Sequence, residues 1–447
     1  MTENQQNIYK GAPGLDPEIE YEGVDDLLNS KDFNSIIGYA EVKDELTRIL
    51  DQLKKPEKYA CMGISEPHGL LLHGVPGVGK STFAMDFVNA CGRKTFICRK
   101  DKSNGDFVDE IVRVFKEAEE AAPSVILLDD LDKFANGDRR HRDKEEFVTV
   151  QTCIDRVKDK RVFVVATAND ISKLPESLIR AGRFDHIVEL QCPTGKEACD
   201  IVAHYLSSKP LVAEVDVARI GRLLEGRSCA ELETVINQAC SYAAFDGRQQ
   251  AEMKDMIKAI LRLVFKAPES FDEDLSTLPL IACHEAGHAL VAELLEPDSV
   301  NLVTVLNNKS STAGVVSIHR DENYIYSKKL MENRVMHLLA GKAAIEVIYG
   351  VVDTGANSDL QRAFNIVHSF VDDYCSYGFS QFVFNVNSSN ELLGRRDSRV
   401  ADEMDRYYPQ TKQLLIENKN KLEALASKLV EEKTLLGDQV QQIINCA

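Results

Sequence analysis

The sequence predicts a parallel α/β nucleotide-binding unit with a small helical domain behind it, followed by a mainly α-helical unit that carries a metal site. Three observations predict this. Short apolar runs alternate with helical patterns between residues 33 and 190. A Gly-rich GxxxxGK[ST] stretch follows the first of those runs, at residues 74–81. Beyond residue 192 the strand-like runs give way to helical spacing, and one of those helices carries His-Glu-x-x-His at 284–288. Alternation of strand and helix implies a parallel sheet, because a parallel crossover needs a covering helix.

Taken in order, residues 1–30 are polar and acidic with Gly and Pro, and read as a mobile arm. Residues 31–192 form the α/β subdomain. Its buried strands are expected at "GLLLHG" (69–74), "KTFICR" (94–99), "SVILLDD" (124–130), "RVFVVATA" (161–168) and "HIVEL" (186–190). Residues 193–264 form a helical subdomain, with "AELETVINQACSYAAF" and "MKDMIKAILRLV" at helical period. Pro and charge in "FKAPESFDEDLS" mark a linker at 265–276. Residues 277–447 form the second unit, with a short strand expected in "TAGVVSIHR" (312–320) and an amphipathic helical tail at 421–444.

Composition narrows the function. The chain has 447 residues and a net charge of -18, so nucleic acid is excluded as the main partner: phosphate binding needs a basic footprint. The one basic knot, "DRRHRDK" (138–144), reads as a solvated loop. Eleven scattered cysteines with no CxxC pair, and no secretory leader, point to a reducing cytoplasm. No stretch approaches the ~20 apolar residues that span a bilayer.

The phosphate loop comprises Gly74, Val75, Pro76, Gly77, Val78, Gly79, Lys80, Ser81 and Thr82. Its glycines let backbone N–H groups turn inward on phosphates, Lys80 reaches the β/γ phosphates of ATP, and Ser81 can hold Mg²⁺. The strand "SVILLDD" ends in Asp129, placed for Mg²⁺, and Asp130, placed to orient or deprotonate an attacking water.

His284 and His288 lie one helical turn apart and can share one tetrahedral zinc ion, while Glu285 is rotated about 100° away. Zinc would polarise a peptide carbonyl and acidify a water whose proton Glu285 can take. His319, His337 and His368 are expected to be structural or exposed.

With "VILLDDLDKF", "VVATAND", "LIRAGRFD" and "HEAGHAL" in one chain, the sequence resembles the AAA+ ATPases, and among them the FtsH family of ATP-dependent zinc metalloproteases, over residues 33–445. The resemblance implies Asn169 as the sensor of the γ-phosphate, Arg180 and Arg183 as arginines offered to a neighbour's ATP, and Ile37 and Gly38 as the backbone framing adenine. It implies Asp359 as the third zinc ligand, lid motion in the 225–239 region, polypeptide substrates and a homo-hexameric ring. It would let "TAGVVSIHR" bind an extended substrate chain. Four departures stand out. The family's N-terminal transmembrane pair is missing, so no membrane anchor is expected. Asp130 stands where Glu is usual. The segment "RKDKSNGDFVDEIVR" (99–113) is shorter and more polar than the family's pore loop, with Phe107 its one aromatic. The linker lacks a glycine hinge. The resemblance therefore predicts an ATP-dependent zinc endopeptidase. The rival readings are an ATP-gated peptidase without processive unfolding, and a remodelling ATPase with vestigial proteolysis.

Overall fold

Every expected strand of the α/β unit is present. A computed structural model describes residues 33, 35–100, 104–134, 145–180, 182–212, 215–267, 277–306, 314–319, 327–351, 355–374 and 389–447. The expected N-terminal arm, the basic knot at 138–144, most of the linker and residues 101–103 of the polar segment lie outside these. The chain divides into two compact units, Met1–His204 with Gly226–Thr234, and Tyr205–Glu225 with Val235–Ala447. The division runs through the segment expected to form the helical subdomain.

In the first unit the helices are α1 (Ala40–Lys54), α2 (Pro56–Ala60), α3 (Lys80–Cys91), α4 (Asn104–Glu120) and α5 (Glu145–Val157), followed by the first turns of α6 (Gly195–Ser207). Strands β1 (Gly69–His73), β2 (Lys94–Arg99), β3 (Ser124–Asp129), β4 (Val162–Ala168) and β5 (His186–Glu189) pair in parallel, in the order β2-β3-β4-β1-β5. Of the three interior strands, β3 and β4 are buried along their whole length, as continuous Val/Ile/Leu/Ala runs covered on both faces should be. The C-terminal ends of β1, β3 and β4 deliver Gly74, Asp129 and Asn169 to one edge, where ligands of parallel sheets bind. Phe107, on α4, is fully buried and meets Phe134 edge-on at 4.8 Å between ring centres. The aromatic of the polar segment is therefore a core residue.

The second unit contains α7 (Val217–Leu223), most of α8 (Cys229–Phe245), α9 (Met253–Leu263), α10 (Leu278–Leu295), α11 (Lys328–Tyr349), α12 (Asn357–Asp372), α13 (Asn390–Glu417), α14 (Lys419–Glu432) and α15 (Gly437–Cys446). Helix α10 is apolar apart from His284, Glu285, His288 and Glu293 and forms the axis of the core, with Ala282, Ala286, Ala289 and Leu290 fully buried. By length and mean hydropathy it is the one described helix that could cross a membrane, but 72% of it is buried inside the protein. It contacts α11 closely: a Cβ built on Gly287 would lie 2.5 Å from Ala344 Cβ and 2.7 Å from the Ala340 carbonyl. Helix α11 is capped by the Ser327 hydroxyl, which accepts from Leu330 N–H, and it stops at Gly350 in the left-handed conformation.

A small antiparallel sheet completes the unit, in the order β7 (Val315–Ile318), β6 (Val300–Thr304), β8 (Thr434–Leu436). Only β7 was expected. The tail, read as one amphipathic helix over 421–444, instead breaks at Lys433, whose backbone is left-handed, and inserts β8 between α14 and α15. Thr434 and Leu436 are consistent with either period, and pairing with β6 decides between them.

Candidate active sites

The phosphate loop is built by the exit of β1 into α3. Gly77 (φ +86°) and Gly79 (φ +99°) hold backbone conformations that side chains rarely adopt. A Cβ on Gly77 would also lie 2.9 Å from Ala230 and 3.0 Å from Ser228. The Gly77 carbonyl in turn accepts from Ala230 N–H at 3.0 Å, so residues 228–230 close over the loop. Lys80 is buried, and its ammonium donates to the carbonyls of Gly74 (2.8 Å) and Val75 (2.9 Å). Burial lowers its pKa, opposed by the acids of β3 and the turn after it.

Asp129 is buried and receives three donors. Thr167 reaches Oδ1 at 2.7 Å, Ser81 reaches Oδ1 at 3.2 Å, and the Arg99 guanidinium holds Oδ2. The strand register sets the last contact, since Arg99 and Asp129 are paired positions on β2 and β3. Asp130 stands in the left-handed conformation (φ +57°), fixed by its N–H on Thr167 Oγ1. Its carboxylate accepts from Asn169 Nδ2 at 3.1 Å and pairs with Lys133 at 2.7 Å, while Asn169 N–H reaches Asp132. The residues expected to order the attacking water are thus neighbours. Ile37 and Gly38 lead into Tyr39, whose hydroxyl contacts the carbonyls of Val78 (3.3 Å) and Gln191 (3.1 Å) and anchors that stretch to the loop.

The two arginines differ. Arg180 is exposed. Arg183 is buried and makes a bidentate pair with Asp155 of its own chain, at 3.0 and 2.6 Å, and donates to the Ser177 carbonyl.

In the second unit, His284, His288 and Asp359 converge, each offering one ligand atom within 4.8 Å of the others. Asp359 Oδ2 is 3.2 Å from His284 Nε2 and 3.3 Å from His288 Nε2, and the two Nε2 atoms are 3.0 Å apart. The opposite nitrogen of His288 lies 2.7 Å from the His337 carbonyl, a donor contact that leaves Nε2 for a metal. His337 is no bystander, because its own Nδ1 returns to the His288 carbonyl at 3.0 Å. Burial pushes its pKa down to about 3, so it stays neutral. Two N donors and one carboxylate around a common point fit zinc. The cradle that holds them is a glycine: a Cβ on Gly341 would lie 2.5 Å from both Nε2 atoms.

Glu285 is not among the three converging ligands; it is buried beside them, which raises its pKa to about 7. Its carboxylate touches the chain at Gly314, where a Cβ would lie 2.7 Å from Oε1. Asp359 is held well below the carboxylate range: burial opposes ionisation, but the imidazoles of His284 and His288 at one oxygen and the Arg362 guanidinium at the other outweigh it. Sequence reasoning missed Tyr39, Arg99, Thr167, Ala230, Gly314, His337 and Gly341. Tyr39 follows Gly38, Thr167 lies in "VVATAND", Ala230 in 225–239 and Gly314 in "TAGVVSIHR", but their roles, like those of Arg99, His337 and Gly341, arrive through tertiary contacts.

Known proteins share both halves. Residues 70–192 match the model of the ATPase family associated with various cellular activities, and residues 276–443 match peptidase family M41. The chain is 30% identical over 442 residues to an ATP-dependent zinc metalloprotease FtsH of Thermus thermophilus, covering 92% of this chain and 70% of that protein. FtsH 1 of Thermoanaerobacter sp. is 30% identical over 460 residues, with 94% and 74% covered, and FtsH 2 of the same organism is 28% identical over 434 residues, with 92% and 82% covered.

Proposed function

The chain belongs to the FtsH family of ATP-dependent zinc metalloproteases, and from that premise we propose how its own residues divide the work. The observation that carries the peptidase assignment is the convergence of His284, His288 and Asp359 beside the buried Glu285. His284, His288 and Asp359 would hold zinc, which would supply Lewis acidity toward a peptide carbonyl and a reactive water. His288 keeps its Nε2 lone pair available because the His337 carbonyl occupies Nδ1. With zinc bound, Glu285 would take the water's proton and return it to the leaving amine, a task suited to a carboxyl buried beside the ligand cluster.

In the ATPase half, the loop 74–82 with Ile37 and Gly38 binds ATP, and Ser81 and Asp129 hold Mg²⁺. Asp130 and Asn169 position the attacking water. Arg180 is the residue free to reach a neighbouring subunit's ATP in a homo-hexameric ring, whereas Arg183 braces its own subunit through Asp155. ATP-driven delivery of polypeptide to the zinc site explains why one chain carries both. The ten described cysteines are free thiols, which supports a reducing, cytoplasmic setting. A second reading, an ATP-gated peptidase with weak pulling, is favoured by the burial of Phe107, which removes that aromatic from a pore.

The test separates base from ligand. Glu285→Gln should abolish casein cleavage in the presence of ATP while zinc stays bound. Asp359→Ala should lose zinc as well. Equal zinc loss in both variants would overturn the division of roles.

A further inference from the structure

The peptidase unit holds a polar feature that the zinc chemistry does not use. A cleft of about 840 Å³ borders the site, walled by Val316 and Ile318 of the edge strand β7 and by helix α11. Two side chains sunk in this cleft have unmet hydrogen bonds. Asn333 is 7% exposed and its Oδ1 has no partner, and Ser299 is 7% exposed and its Oγ has none. Folded proteins pair nearly all such groups, and those left open in a cleft are matched by what fills it. Arg334 and Glu296 both border the cleft, so charge singles out neither sign of ionic side chain.

Two independent rulers place these groups relative to the scissile bond. Gly341 seats against His284 and His288, and Asn333 lies two turns earlier on the same face of α11. Eight residues at the helical rise put it roughly 12 Å from the zinc ligands. On the other wall, Gly314 seats against the Glu285 carboxylate, and β7 leads from there to His319. The His319 N–H donates to the Ser299 carbonyl at 2.7 Å. Five residues of extended chain span roughly 17 Å. A substrate strand advances by the same step, so the side chain within reach belongs to a residue about three to five positions from the cut bond.

Resting on the zinc-peptidase reading, we propose that this cleft is a remote substrate subsite in which Asn333 and Ser299 select a side chain carrying both a donor and an acceptor, Gln or Asn. Whichever way the Asn333 amide is turned, it offers one donor face and one acceptor face, and a second primary amide is its natural complement. An aliphatic side chain of the same size leaves both protein groups unpaired.

The experiment uses the full chain with zinc and Mg-ATP. Fluorogenic peptides share one cleavable core, with Gln or Leu moved through each position on both sides of the scissile bond. At one position three to five residues away, kcat/KM for Gln should exceed that for Leu by about tenfold. Asn333→Leu should bring that ratio to about one. Ser299→Ala, which removes a single oxygen, should reduce it and keeps the test decisive should the larger change impair folding. Anisotropy of the same peptides on the zinc-loaded Glu285→Gln protein should show the same ratio in affinity. A flat scan, with cleavage intact and blocked by a zinc chelator, overturns the subsite but not the peptidase. A Gln preference that survives both substitutions also overturns it. Absence of any chelator-sensitive cleavage refutes the peptidase reading, and the subsite with it.

Discussion

Replacing Gly341 with Ala should expel zinc without unfolding the peptidase unit. The added methyl would lie 2.5 Å from His284 Nε2 and His288 Nε2, where ordinary contact begins at 3.4 Å. The rings must therefore retreat by about 0.9 Å, several times the ~0.2 Å that zinc–ligand distances tolerate. The His288 ring cannot simply swing away, because it is tied through Nδ1 to the His337 carbonyl. We expect zinc affinity to fall by about 10–100-fold, the size of effect seen when the support of a metal ligand is lost. A chromophoric chelator titration reads this directly, and casein cleavage should fall in parallel. The melting temperature of the zinc-free protein should barely change, since without metal the ring ends are the most movable atoms in contact. Gly287→Ala is the contrasting variant. Its methyl would strike Ala344 Cβ and the Ala340 carbonyl, so it should cost about 1–3 kcal/mol of stability through overpacking. Wild-type zinc affinity in Gly341→Ala, or zinc loss only in step with unfolding, would refute the reasoning.

Further outcomes are expected. Arg180→Ala should bind ATP but not hydrolyse it, and mixing it with Lys80→Ala subunits should restore some activity, while Arg183→Ala should lower stability by freeing Asp155. Normal hydrolysis by Arg180→Ala in verified rings would refute a role in trans. Arg99→Ala should lower the Mg²⁺ concentration needed to bind a fluorescent ATP analogue by about 2–5-fold, the scale of an exposed ion pair, because a guanidinium on Asp129 repels the cation; an unchanged or higher requirement counts against this. Asp130→Glu should raise ATP turnover, and the wild type should degrade a destabilised tagged domain much faster than its stable parent; equal rates for the two domains would show strong pulling.

What the sequence disclosed follows the range of the physics involved. The interior strands β3 and β4 were legible because burial on both faces demands continuous apolar runs, which "SVILLD" and "VFVVATA" display without help from distant residues. The phosphate loop and His284-Glu285-x-x-His288 were legible because their chemistry fixes local spacing. Asp359 was reachable only through the family resemblance, since it comes from another helix 75 residues from His284. Arg99 stayed hidden because strand register, not sequence proximity, puts it on Asp129. Phe107, the one aromatic of a polar segment set against the family's pore loop, is placed in the core by α4, which turns it onto Phe134. The strand at 434–436 was masked by helical patterns on both sides, and its partner strand is far away in the chain.

That distance affects how the enzyme is made. Thr304 and Thr434 join hydroxyls at 2.8 Å across 130 residues, so β6 gains its second neighbour only after the ribosome has moved well past the zinc-ligand helix. At ordinary synthesis rates the interval is roughly 7–26 s. Throughout it, both histidines and Glu285 exist on a nascent chain while the sheet beside them is incomplete. A newborn molecule therefore passes through a period in which it carries its cutting residues without the framework that aligns a substrate, and competence comes late in translation.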